Sequence, residues 1–198
     1  MINDKFVFIG ILLQLYGSWS YLIDTLKGRV QPNKVTWFLW SIAPLIAAFA
    51  MFKQGVGVQV WVTFIVGFVP LVIFIASFFN KKAHWKISKF DIVCGVLSFV
   101  GLLLWVITKE GNIAILFSIL SDGLAALPTI LKSYTDPDSE SPTIFLFGTI
   151  NALLGILTIK TWNFQTYAFP MYLLFMDTLI GLLIISKVGL RNKHYVHK

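Results

Sequence analysis

The sequence predicts an all-α membrane protein, with seven transmembrane helices arranged as two parallel three-helix bundles joined by a linking helix. Three observations carry that expectation. Hydrophobic residues make up 57% of the 198 residues and charged residues 13%, with a mean hydropathy of +0.80; a soluble domain carries roughly 25% charged residues. Seven apolar stretches approach the about 20 residues that a spanning helix needs. Finally, two stretches of the chain repeat one another. Residues 14–45 read QLYGSWSYLIDTLKGRVQPNKVTWFLWSIAPL, and residues 121–152 read SDGLAALPTILKSYTDPDSESPTIFLFGTINA. Without a gap, Thr36, Phe38 and Leu39 fall on Thr143, Phe145 and Leu146. In a membrane chain such a repeat points to a transporter fold with its site between the halves.

The expected spans are 6–26, 35–53, 58–80, 90–108, 111–133, 142–159 and 165–187. The apolar runs are continuous and lack the period of two that strands require. The first span follows only MINDK, with no basic leader and no small-residue cleavage site, so it is expected to stay in the mature protein. Residues 1–80 form the first bundle, 81–110 a basic loop and the linking helix, and 111–198 the second bundle with a basic tail. The linking span DIVCGVLSFVGLLLWVIT has no counterpart in the repeat. Three crossings reverse direction, so one extra crossing is what restores a second unit to the orientation of the first. Cys94, the single cysteine, reads as a small buried thiol.

Alternate loops carry unequal basic loads. One side holds Lys27, Arg29, Lys34, Lys81, Lys82, Lys86, Lys89, Lys132, Lys187, Arg191, Lys193 and Lys198; the other holds Lys5, Lys53, Lys109 and Lys160. That 12-to-4 division places the N-terminus outside and the C-terminus in the cytoplasm. It also accounts for the net charge of +7 through membrane lipid, with no nucleic acid partner needed.

Polar residues inside the spans are the candidate site. A carboxylate in a spanning helix costs roughly 2.5–3.5 kcal/mol on insertion scales and usually faces the bundle interior, where it binds substrate or relays protons. Asp122 and Asp177 are such residues, and the alternative for both is a hydrogen bond that merely holds helices together. Ser118 shares a helical face with Asp122, and Gln14, Ser18 and Tyr21 share one on the first span. Asn151 supplies an amide suited to a polar substrate or to an interhelical bond. Asp24 and Asp91 sit at span ends and are expected to mark membrane interfaces. Trp37, Trp40 and Ser41 form a face that reads as an aromatic belt or as a wall for a ring-shaped substrate. Trp61, Trp85, Trp105 and Trp162 read as interfacial anchors. Pro44, Pro70, Pro128 and Pro170 interrupt spans, and Pro128 and Pro44 are the candidate hinges.

An enzyme is not expected. His84, His194 and His197 lie in loops or the tail, without metal spacing inside the bundle, and no phosphate-cradling glycine loop is present. No Lys lies between Gln165 and Ser186 to form a retinal Schiff base. No cofactor and no metal are expected. The partners are a small-molecule substrate and lipid, with a homo-oligomer left open.

Leu127-Pro128-Thr129-Ile130-Leu131-Lys132, followed by a polar loop and Pro142-Thr143-Ile144-Phe145, resembles the Leu-Pro-Gln segment and helix start of the SWEET/PQ-loop (MtN3/saliva-like) superfamily. The 3+1+3 order is similar too. The chain differs at Thr129, where that family has Gln, and at Tyr21-Leu22, where the first half would have Pro-Gln. Gly155 lies near the place of the family's binding-site Trp, and Asp177 near the place of an Asn. The resemblance implies a transporter of a small polar solute, sugar-like or amino-acid-like, working by alternating access. Two alternatives share the architecture: a vitamin or nucleoside carrier, and a receptor like the KDEL receptor that binds without translocating. No Arg or Lys lies deep in a span, which favours a neutral or cationic ligand over an anionic one.

Overall fold

A computed structural model describes residues 6–53, 59–80, 87–107, 111–159 and 161–190. These form seven α-helices and one 3-10 turn, with no strand among the described residues: α1 (Phe6–Leu26), α2 (Lys34–Lys53), α3 (Gln59–Phe79), α4 (Lys89–Ile107), α5 (Gly111–Thr135), the 3-10 turn Pro137–Ser139, α6 (Thr143–Leu157) and α7 (Phe164–Ser186). Each helix end lies within two residues of its expected place. His84, Trp85, His194 and His197 lie outside the described residues, as do the side chains of Ser118, Trp61 and Trp105.

Local chemistry sets the breaks between helices. Gly28, at φ 69°, ends α1. Its N–H donates to the Thr25 carbonyl at 3.1 Å, and the Arg29 N–H reaches back to Asp24 at 2.9 Å. This crossed pair is a Schellman cap, which needs a residue free to turn left-handed. Asn33 then starts α2, its Oδ1 accepting from the backbone of Val35 at 3.0 Å and of Thr36 at 3.3 Å. At the end of α5, Pro137 cannot continue the helix, and the chain makes one tight turn before Pro142 caps α6. Asn163 and Thr166 form a reciprocal capping box at the start of α7.

The packing pattern has an internal symmetry. α3 packs against both α1 and α2, and α7 packs against both α5 and α6. α1 packs on α6, and α2 on α5. Exchanging α1, α2 and α3 for α5, α6 and α7 maps these contacts onto one another. α4 stands outside the exchange and rests on α5 and α2. Its contact with α5 is polar and reciprocal: the Ser98 hydroxyl donates to the Ser121 carbonyl at 2.6 Å, and the Ser121 hydroxyl to the Ser98 carbonyl at 2.7 Å. Hydroxyls and small residues let apolar helices approach closely in this way. On the other faces of α4, Ile92, Val96, Phe99, Leu103 and Ile107 are exposed. An exposed apolar surface of that extent marks contact with lipid or with another chain.

Two helices, Ile115–Thr135 and Thr166–Ser186, are long and apolar enough over their described residues to cross a membrane. α6 has 15 residues, about 22 Å of helix against a hydrocarbon core of roughly 30 Å. The buried apolar core draws on several helices at once, with Tyr21 of α1, Trp37 of α2, Ile73 of α3, Phe145 of α6 and Ile180 of α7 in one cluster.

Candidate functional site

Six of the seven helices surround a cavity of about 210 Å³, and α4 contributes nothing to it. One water needs only about 10–15 Å³ measured in this way, so there is room for a small solute. From the first three helices, Gln14, Ser18, Trp37, Trp40 and Pro44 line the space; from the last three come Asp122, Gly148, Asn151 and Asp177. Phe145 and Phe169 add aromatic wall. The structure thus brings Asp122, Asp177, Asn151, Gln14, Trp40 and Pro44 together around one cavity.

The two carboxylates are held differently. The Tyr172 hydroxyl donates to Asp122 Oδ2 at 2.6 Å. The Trp40 indole N–H, which also belongs to a lining residue, has no hydrogen-bond partner among the described residues. Asp177 takes no hydrogen bond from any described residue. It lies close enough to Asp122 for their charges to repel. Among the described residues, no Lys, Arg or His lines the cavity. Gln14 Oε1 is also without a partner. Gly148 is what leaves space for these groups: a Cβ there would lie 2.8 Å from Asp177 Cγ and 3.3 Å from Gln14 Oε1.

Other expected residues fall elsewhere. Tyr21, grouped by helical spacing with Gln14 and Ser18, does not line the cavity and is fully buried. Seven residues of helix separate it from Gln14, roughly 10 Å along the axis. Its ring packs on Trp37 with centroids 4.9 Å apart, and its hydroxyl donates to Glu140 Oε2 at 2.5 Å. Trp37 lines the cavity and packs edge-on against Trp40, 5.3 Å away. Pro128 is buried inside α5 away from the cavity. The carbonyl that its ring deprives of an N–H is that of Leu124, and the Thr36 hydroxyl donates to the adjacent Ala125 carbonyl at 2.7 Å. Ser118 lies one turn before Asp122 on α5.

Asp91 corrects an expectation. Read as an interface marker, it is 2% exposed. It accepts from the Asn33 amide at 2.9 Å and from the Ser88 backbone at 2.6 Å, tying α4 to the start of α2. A carboxylate so placed needs such partners to be buried at all.

A second polar cluster was missed altogether. Lys132 and Glu140 are fully buried side chains joined at 2.7 Å. The Lys132 ammonium also donates to the carbonyls of Gln31 and Ser139. The Gln31 N–H donates to the Ser139 carbonyl at 2.7 Å, so the two interhelical loops are stitched together around the ion pair. Lys132 reads in the sequence as one loop charge among many; the only signal for a pair is that Glu140 lies eight residues further on, past a proline turn.

No protein-family model, curated protein or solved structure matches the chain.

Proposed function

We propose that the chain is an integral membrane transporter that moves a small polar solute, neutral or cationic, by alternating access, with the cavity as its binding site. Seven helices cross the bilayer with the N-terminus outside and the C-terminus in the cytoplasm. They form two like-oriented bundles, α1–α3 and α5–α7, linked by α4. The observation that carries this reading is the pair of carboxylates, Asp122 and Asp177, facing one cavity without a cation beside them. Two negative charges withdrawn from water repel each other unless a bound cation or a proton offsets them. The exchange symmetry of the helix contacts supports two repeated units, and the exposed apolar face of α4 supports a lipid surround. Likeness to the SWEET/PQ-loop superfamily is part of the proposal. Asp122 and Asp177 bind substrate or carry protons, Asn151 and Gln14 supply polar contacts, and Pro128 and Pro44 are hinges.

Uptake by liposomes containing the purified protein tests the proposal, using a panel of sugars, amino acids, nucleosides and amines with and without a pH gradient. Transport of one class is the expected result. Normal transport by both Asp122→Asn and Asp177→Asn at every pH ends the coupling role. A vitamin or nucleoside carrier is the second reading, favoured by Trp37 and Trp40 lining the cavity as flat walls.

A further inference from the structure

We infer that the cavity takes a small organic monocation, an ammonium ion carrying N–H donors, bound beside Gly148 between Asp177 and Gln14. This inference rests on the transport reading above and narrows it to one class of solute. Three observations carry it.

The first is charge. Among the described residues, the cavity lining holds two carboxylates and no Lys, Arg or His. A neutral solute leaves that charge uncompensated inside the helix bundle, and an anion adds to it. A cation removes one of the two charges.

The second is hydrogen-bonding capacity. Among the described residues, Asp177 takes no hydrogen bond and Gln14 Oε1 has no partner, so the unmet demand is for donors. An ammonium group presents up to three N–H donors and no acceptor. A sugar hydroxyl donates once but also brings an acceptor that seeks a donor in turn. Asp122 already holds the Tyr172 hydroxyl, so one carboxylate is left bare, which matches a single positive charge. No three His, Cys, Asp or Glu side chains gather among the described residues to hold a transition metal.

The third is shape. Without a side chain, Gly148 lets the Asp177 carboxylate and Gln14 Oε1 come together against α6 at the edge of the cavity. Trp37, Trp40, Phe145 and Phe169 line the same cavity. Aromatic faces attract a desolvated cation through their quadrupoles and accept an apolar body without demanding hydrogen bonds.

The test uses matched pairs that differ in charge: tyramine against its alcohol analogue tyrosol, and ethanolamine against ethylene glycol, with glucose as a third neutral probe. Binding to the purified full-length protein is measured by calorimetry at neutral pH, in parallel with liposome uptake. Each amine is expected to bind about tenfold or more tightly than its neutral partner. In Asp177→Asn that preference falls to about threefold or less, while the thermal unfolding temperature is kept. Tyrosol, ethylene glycol or glucose binding as tightly as the amines overturns the inference and leaves the transport reading standing. So does liposome uptake of a neutral, anionic or zwitterionic solute when neither amine binds. Absence of binding and uptake across every class removes both readings together.

Discussion

Two buried polar regions of this molecule are built from similar groups and finished in opposite ways. Around Lys132 and Glu140, the carboxylate meets an ammonium at 2.7 Å and a phenol at 2.5 Å, and the ammonium also holds two backbone carbonyls. Around Asp122 and Asp177, two carboxylates share a cavity with one phenol and no cation. Burying a charge is costly unless it is paired and hydrogen-bonded. The first region meets that condition from within the chain. The second meets it only when something else arrives. A fully satisfied cluster acts as a fastening between helices, whereas an incomplete one is where a ligand or a proton contributes binding energy.

Breaking the fastening gives the largest effect. Glu140→Ala leaves the buried Lys132 ammonium without the carboxylate that offsets its charge, and removing one partner of a buried pair costs about 3–5 kcal/mol. We expect the purified variant to unfold at a clearly lower temperature than the native chain and to lose material on size exclusion. An unchanged melting curve would mean that water reaches the pair, and the contrast between the two regions would fail.

The corresponding change in the cavity affects activity and spares the fold. Asp177→Asn removes an unpaired buried charge, so stability is expected to hold or rise while uptake and ligand binding are lost. Gly148→Ala is expected to act the same way by another route. Its methyl group enters the space beside Asp177 Cγ and Gln14 Oε1 and pushes the carboxylate aside. Melting temperature and transport measured on one preparation separate the two effects. A parallel fall in both would place Asp177 among the structural groups.

Tyr172→Phe is expected to have an intermediate effect. It deletes the 2.6 Å bond to Asp122, and hydrogen bonds to charged groups contribute about 1.5–3 kcal/mol. The effect should appear in the dependence of uptake on an imposed pH gradient, because the phenol donates directly to that carboxylate. An unaltered pH profile would show that the phenol merely fills space.

These contrasts explain what could be read from the chain. Helix positions were legible because apolar runs and their polar breaks are local properties. Asp122 and Asp177 were legible because a charge inside such a run is conspicuous. Tyr21 was misplaced because spacing along a helix gives a shared face but not a shared depth. Tyr172 escaped notice because a tyrosine in an apolar helix looks like any interfacial aromatic until a carboxylate is found opposite. Lys132 and Glu140 were invisible as a pair, since the turn at Pro137 that brings them together is a property of the folded loop. Gly148 could not be distinguished from its neighbours, because its meaning lies in what α7 and α1 place against it.

The smallest effect belongs to a second glycine on the same helix. Gly155 lies seven residues after Gly148 on α6, near the same face, yet a Cβ at 155 meets nothing within 4 Å. Alanine there gains helix propensity and lowers the entropy of the unfolded chain, a stabilisation of about 0.5–1 kcal/mol with no steric cost. We therefore expect Gly155→Ala to transport normally and to melt slightly higher than the native chain, with Gly148→Ala as the inactive counterpart. If both variants lose transport alike, α6 needs glycine for flexibility along its length, and the opening at Gly148 is not specific to Asp177. If only Gly148→Ala fails, the space beside that carboxylate is the property that matters.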